Sequence, residues 1–194
     1  LDATVEVDGG LVLSSAASGR WKRDVSASDA VQVDWFGALG DGITDDSVAI
    51  NQALQSAGRG ATIQFTAGKT YLINRLLTYD AGQTLSGYGA TIKRGNAIKT
   101  TTSTPIEIGR GSRFLTVAST AGFEVGMHVA VVDAAGPELA NHTILSIDGN
   151  VIELSGNWRK ASTSGATIVT SFHMISRNHA ADEARVEGVV IEGL

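Results

Sequence analysis

The stretch Gly40-Asp41-Gly42-Ile43-Thr44-Asp45-Asp46 holds three carboxylates and two glycines in seven positions. Carboxylates that close together can hold a divalent cation, share a catalytic proton, or open a helix by accepting hydrogen bonds from its first amides. The surrounding spacing decides among these. A calcium loop needs oxygen ligands at alternate positions and a glutamate at the twelfth, and that position is Gln52. Downstream, Ile50, Ala53, Leu54 and Ala57 fall at i, i+3, i+4 and i+7, one apolar stripe at helical period. Thr44 stands where an N-cap belongs and Gly58 where a C′ glycine belongs. Asp45 and Asp46 then lie in the first turn, where the helix dipole stabilises a carboxylate by about 0.3–1 kcal/mol. Asp41-Gly42 makes the turn before it. The expected role is structural: a helix over 45–57 that binds no metal.

Other chemistry is sparser. Glycoside hydrolysis needs two carboxylates roughly 5–10 Å apart across a groove, and none of the possible pairs among the 20 acidic residues stands out. His128, His142, His173 and His179 are scattered without an HExxH-like spacing, so they read as surface or turn histidines rather than ligands. No Gly-x-Ser-x-Gly elbow is present. Lys93, Arg94, Lys99, Arg110 and Arg113, opposed only by Glu107, could face an acidic polysaccharide or a partner protein; solvated loop charge is the plainer reading. Trp158 beside Arg159 and Lys160 could stack on a sugar, although a buried anchor accounts for it more simply. Arg20, Lys22 and Arg23 around Trp21 could form a basic–aromatic binding patch, although a solvated segment pinned by one tryptophan is the plainer reading. No residue is assigned as catalytic, and no cofactor is expected.

The elements that must position these residues follow from composition and pattern. The chain has 194 residues, 43 % apolar, with 23 glycines, two prolines and no cysteine. Many glycines with few prolines imply tight turns between short strands. A net charge of −5 argues against non-specific nucleic-acid binding, and no apolar run reaches the roughly 18 residues of a membrane span. After the expected helix, "ATIQF", "KTYLI" and "QTLSGYGATIKR" read as short strands between glycine turns. Residues 114–133, 142–156 and 166–175 form a second β-rich block, with Asp148-Gly149-Asn150 as a hairpin signal. Four segments are expected: an arm over 1–34, a helix and first strand coils over 35–112, an inserted β-barrel or sandwich over 113–172, and a return to the coils over 173–194. The start at Leu1 rather than methionine, and the unfinished alternation "VEGVVIEGL", suggest a piece of a longer protein.

"VDWFGALGDGITDDSVAINQALQSA", followed by "ATIQF", "GKTYLI" and "LSGYGATI", resembles the N-terminal signature of pectate-lyase-superfamily, single-stranded right-handed β-helix proteins. "GRW" upstream of "WFGA" is most similar to the tailspikes of tailed bacteriophages. One departure is the absence of a proline after Phe65, where Gly68 still supplies a permissive turn. The resemblance implies a mainly β fold, the start of a parallel β-helix whose open end is capped by the helix. It implies a homotrimer on the virion, held by other tail or baseplate proteins, without membrane insertion or nucleic-acid binding. It also implies a bacterial surface polysaccharide as substrate, with the catalytic residues downstream of residue 194. A secreted polysaccharide-degrading enzyme and a non-catalytic tail or adhesin shaft are the alternatives.

Overall fold

Short runs rich in threonine, isoleucine and tyrosine, each closed by a glycine turn, put alternate side chains on opposite faces of a strand. The computed structural model describes residues 6–15, 19–25, 30–107, 109, 112–133, 136–158, 161–171, 175–177 and 185–192. The fold is mainly β, and the chain divides into two units: Leu1–Gly95 with Met174–Leu194, and Asn96–His173.

The first unit opens with an antiparallel hairpin of β1 (Val12–Ser14) and β2 (Arg20–Lys22). Then come β3 (Val31–Gln32), a 3-10 turn at Val33–Phe36, β4 (Asp41–Asp45) and the helix α1 (Ser47–Ala57). β5 (Thr62–Gln64), β6 (Thr70–Ile73), β7 (Leu77–Tyr79) and β8 (Thr84–Arg94) follow. All pairing among these later strands is parallel. One ladder carries β3, β5 and the first half of β8, in the register Val31–Ile63–Leu85. The other carries β4, β6 and the second half of β8, with Tyr71 opposite Ile92. Each coil therefore lays its apolar residues over those of the coil before. Ile63, Phe65, Tyr71, Ile73, Leu77, Leu85 and Ile92 are fully buried, and Phe65 meets the Tyr71 ring edge-on at 5.2 Å. This is a parallel β-helix in its opening coils.

Two boundaries differ from expectation. Val31–Gln32, placed with the arm, already pairs in the first ladder. The helix starts at Ser47 rather than 45, because Asp46 N–H donates to Leu72 O (2.8 Å) and holds 41–45 extended beside β6.

The second unit contains β9 (Lys99–Thr101), β10 (Phe114–Thr116), β11 (His128–Asp133), β12 (Gly136–Asp148), β13 (Val151–Leu154) and β14 (Thr167–Thr170). Its antiparallel order is β10-β13-β12-β11-β14-β9. The two ends of that order meet: Ala118 N–H donates to Thr101 O and Ser103 N–H to Thr116 O, both at 2.8 Å. The sheet thus closes as a small barrel and leaves no free edge between these strands. Gly149-Asn150 forms the two-residue turn between β12 and β13, with Gly149 at φ +54°. Ile144, Ile152, Leu154, Trp158 and Ile168 fill the interior. The segment 99–101, assigned by sequence to the coils, belongs here because β9 pairs with β14.

Two further strands return to the first unit. β15 (Ile175–Arg177) pairs parallel with β7, and β16 (Arg185–Glu192) pairs parallel with β8.

Candidate functional site

The carboxylates of the Gly40–Asp46 stretch serve the backbone. Asp41 Oδ1 accepts Ile43 N–H (2.8 Å) and Thr44 N–H (2.7 Å), and its Oδ2 accepts the Thr44 hydroxyl (2.8 Å). These bonds hold the Asp41 carboxyl below the usual range although it is fully exposed. Asp41 pairs with Thr70 and Asp45 with Leu72, so five residues of β4 stand against three of β6. Residues 42–44 bulge outward between those pairs, with Gly42 at φ +75°, a region that favours glycine.

Asp45 and Asp46 divide the remaining work. Asp45 Oδ1 accepts Ser47 N–H (3.0 Å), the Ser47 hydroxyl and Asn74 N–H (3.2 Å), while Oδ2 pairs with Arg75 at 3.4 Å. Asp46, at the cap position, makes no side-chain bond to the helix. Its carboxylate turns back to accept Leu39 N–H (2.7 Å) and Gly40 N–H (3.1 Å). Burial raises its pKa, against the lowering effect of those two amides. The helix start is therefore satisfied by Asp45, and Thr44 is not its cap. Among the described residues no group of three or more histidine, aspartate or glutamate side chains gathers to hold a metal.

Thr44 is exposed and bonded only within its own turn. Thr44→Ala should therefore shift urea-unfolding stability by less than about 0.5 kcal/mol, whereas loss of a true N-cap would cost about 0.5–2 kcal/mol.

A second polar cluster ties the 3-10 turn to the bend between β5 and β6. Asp34 accepts Lys69 Nζ (2.6 Å), the Tyr71 hydroxyl (2.8 Å) and the Thr66 hydroxyl (3.0 Å). The Tyr71 oxygen accepts Thr66 N–H in turn (3.0 Å). Burial and the nearby carboxylate push Tyr71 up to about 12, so it stays a donor at neutral pH. Burial alone would raise Asp34, but the bonds from Lys69, Tyr71 and Thr66 outweigh it and hold its pKa below 3.8. Gly40 packs against this cluster: a Cβ there would stand 2.8 Å from Lys69 Cβ, at φ +63°.

A depressed folded-state pKa contributes stability that is present above the unfolded value and lost as pH falls through the folded one. The melting temperature should drop as pH falls below about 4, and Asp34→Asn should lower it at pH 7 while flattening that acid limb. An acid limb unchanged by Asp34→Asn would assign the loss to other carboxylates.

The remaining candidates disperse. His128 on β11 is half-buried, with Nε2 3.2 Å from the Thr143 hydroxyl, and desolvation lowers its pKa. His142 on β12 meets the Trp158 ring edge-on at 4.6 Å. Both are therefore strand residues packed in the barrel, not turn residues; His173 and His179 lie outside the described residues. Trp158 is 1 % exposed, the buried anchor expected. Lys93 and Arg94 belong to one unit, Lys99 and Arg113 to the other. Arg113 pairs with Glu153 at 3.2 Å and lies over the Phe114 ring, while Arg110, Arg159 and Lys160 fall outside the described residues. In the arm Trp21 is 63 % exposed, and the tie to Trp35 is Arg23, stacked on its ring at 4.5 Å and donating to Gly10 O. A cleft of about 520 Å³ beside the arm is lined by Glu6, Asp8, Lys22, Gln52 and Gln55, among others. Asp8 and Gln52 there are committed to the arm itself, since Asp8 accepts three successive amides and Gln52 donates to Asp8 O.

Residues 30–119 match the family model described as rhamnogalacturonase A/epimerase, pectate lyase-like. The chain is 46 % identical over 68 residues to endo-xylogalacturonan hydrolase A of Aspergillus tubingensis, covering 34 % of this chain and 17 % of that protein. It is 37 % identical over 65 residues to an uncharacterized 65.4 kDa protein in the cps region of Klebsiella pneumoniae, covering 33 % and 11 %. Among solved structures it is similar to the tailspike of Acinetobacter baumannii phage AM24, at 23 % identity and a TM-score of 0.41, covering 47 % and 16 %. The chain thus spans less than a fifth of the curated relatives it matches here. The family match falls mostly on the parallel ladders of β3 to β8, the opening coils of a β-helix, and runs on into the barrel unit.

Proposed function

We propose that this chain is the N-terminal part of a phage tailspike, whose β-helix recognises and depolymerises a bacterial surface polysaccharide. The observation that carries this reading is the pectate-lyase-like match falling on stacked parallel coils. The resemblance of Gly19-Arg20-Trp21 and Trp35-Phe36-Gly37-Ala38 to tailspikes favours the virion over secretion. In this reading α1 caps the open end of the β-helix, the arm leads to the virion, and the catalytic carboxylates lie on later coils. Three chains pack side by side as a homotrimer. Leu39, Ile43 and Val48, each more than half exposed, supply apolar surface for such a neighbour.

The test uses the full-length protein on purified capsule, lipopolysaccharide and pectic polysaccharides, with native mass measured alongside. A trimer that releases oligosaccharides from capsule or lipopolysaccharide is the expected result. Cleavage of pectic substrates alone would favour the secreted enzyme. Binding without release would favour a non-catalytic shaft, and a stable monomer would remove the tailspike reading.

A further inference from the structure

We propose that residues 96–174 are a self-contained guest spliced into one turn of the third coil, and that this coil closes without them. The register carries the argument. In the second coil β6 ends at Ile73 and β7 begins at Leu77, so three residues, Asn74, Arg75 and Leu76, make the crossing. In the third coil Arg94 lies beside Ile73, and Gly95 N–H donates to Ile73 O (2.9 Å), continuing that ladder by one residue. Gly95 sits directly against Asn74: a Cβ on it would stand 1.9 Å from Asn74 Oδ1. The chain next appears in this unit's ladders at Ile175, paired with Leu77. Residues 96–174 therefore stand where the preceding coil has only Arg75 and Leu76. The span they bridge, from the level of Asn74 to that of Leu77, is at most about 11 Å.

The guest has what it needs to fold alone. Its buried core runs from Ile106 to Ile168, with Ile98 packed against it and Ile144, Ile152, Leu154 and Ile168 fully buried. Its sheet closes on itself through the bonds between Thr101–Ser103 and Thr116–Ala118. Loop-closure entropy grows only slowly with length, so a folded guest whose ends lie close together costs its host little.

Hydrogen exchange on the whole chain tests this. Ile152→Asp should speed exchange in β11 to β14 by at least about 100-fold, while β6 and β8 stay within about twofold of the parent chain. Joint loss of protection in β6 and β8 would overturn the guest's independence. A second variant, with residues 96–174 replaced by Arg-Leu, should remain soluble and keep protected amides in β6 and β8. Aggregation, or unprotected β6 and β8, would overturn closure of the coil.

Discussion

Replacing Gln83 by alanine is expected to cost about 2–4 kcal/mol of stability, although Gln83 lies in neither the helix nor a strand. Its side chain is fully buried and satisfies three backbone groups at once. Nε2 donates to Leu54 O and to Gly58 O, both at 2.7 Å, and Oε1 accepts Asp80 N–H at 2.9 Å. The two carbonyls sit at the C-terminal end of α1, where the last turn of any helix lacks internal partners. Gly58 ends the helix at φ +75° and ψ −177°, and no basic residue stands in the last turn to serve instead. Gln83 therefore does from a distance what a local cap does elsewhere, and it fastens α1 to the start of β8. Alanine would leave these buried groups unpaired beside a small cavity. Urea unfolding with exchange at the end of α1 checks this. A loss below about 0.5 kcal/mol would mean that water takes over the three bonds.

The same division between local and distant partners separates what the sequence reveals from what it hides. The stripe of Ile50, Ala53 and Leu54 marked the helix because burial imposes its period on the chain, and all three are buried. The helix start is hidden because Thr44-Asp45-Asp46 has the composition of a cap. The bond from Asp46 to Leu72, a partner 26 residues away, keeps that stretch in the ladder instead. β7 is not legible because Leu77–Tyr79 is too short to show alternation, and its neighbours are α1 and β15 rather than adjacent chain. β9 is obscure for a similar reason: Lys-Thr-Thr carries no apolar signal, and its pairing with β14 is what places it. The candidate site was the least legible. Asp34, Lys69, Tyr71 and Thr66 converge from positions up to 37 residues apart, so no local spacing announces them. Their geometry fastens a bend: Asp34 is ion-paired to Lys69 and Tyr71 is fully buried.

Asn51→Leu should show what α1 does for the coil stack. β7 pairs with β15 on one side. On the other side α1 packs against it, in the place a third strand of the first coil would take. A strand edge presents alternating N–H and C=O groups, and leaving them bare both costs stability and offers a template to other chains. The Asn51 carboxamide answers both kinds of group: Oδ1 accepts Thr78 N–H at 2.9 Å, and Nδ2 donates to Leu76 O at 2.8 Å. It mimics one peptide unit of a neighbouring strand. Ser47 extends the cover, its Oγ accepting Asn74 N–H at 2.8 Å and Arg75 N–H at 3.0 Å. Leucine keeps the branched shape of asparagine at a somewhat larger volume and removes both bonds, so the variant should lose about 2–3 kcal/mol. Its Thr78 amide should exchange faster than in the parent chain, and light scattering should reveal concentration-dependent self-association. Asn51→Asp keeps the acceptor and sets a carboxylate oxygen against Leu76 O, so it should protect Thr78 while still losing stability. Thr78 remaining protected in Asn51→Leu, without self-association, would show that backbone packing rather than this side chain covers the edge.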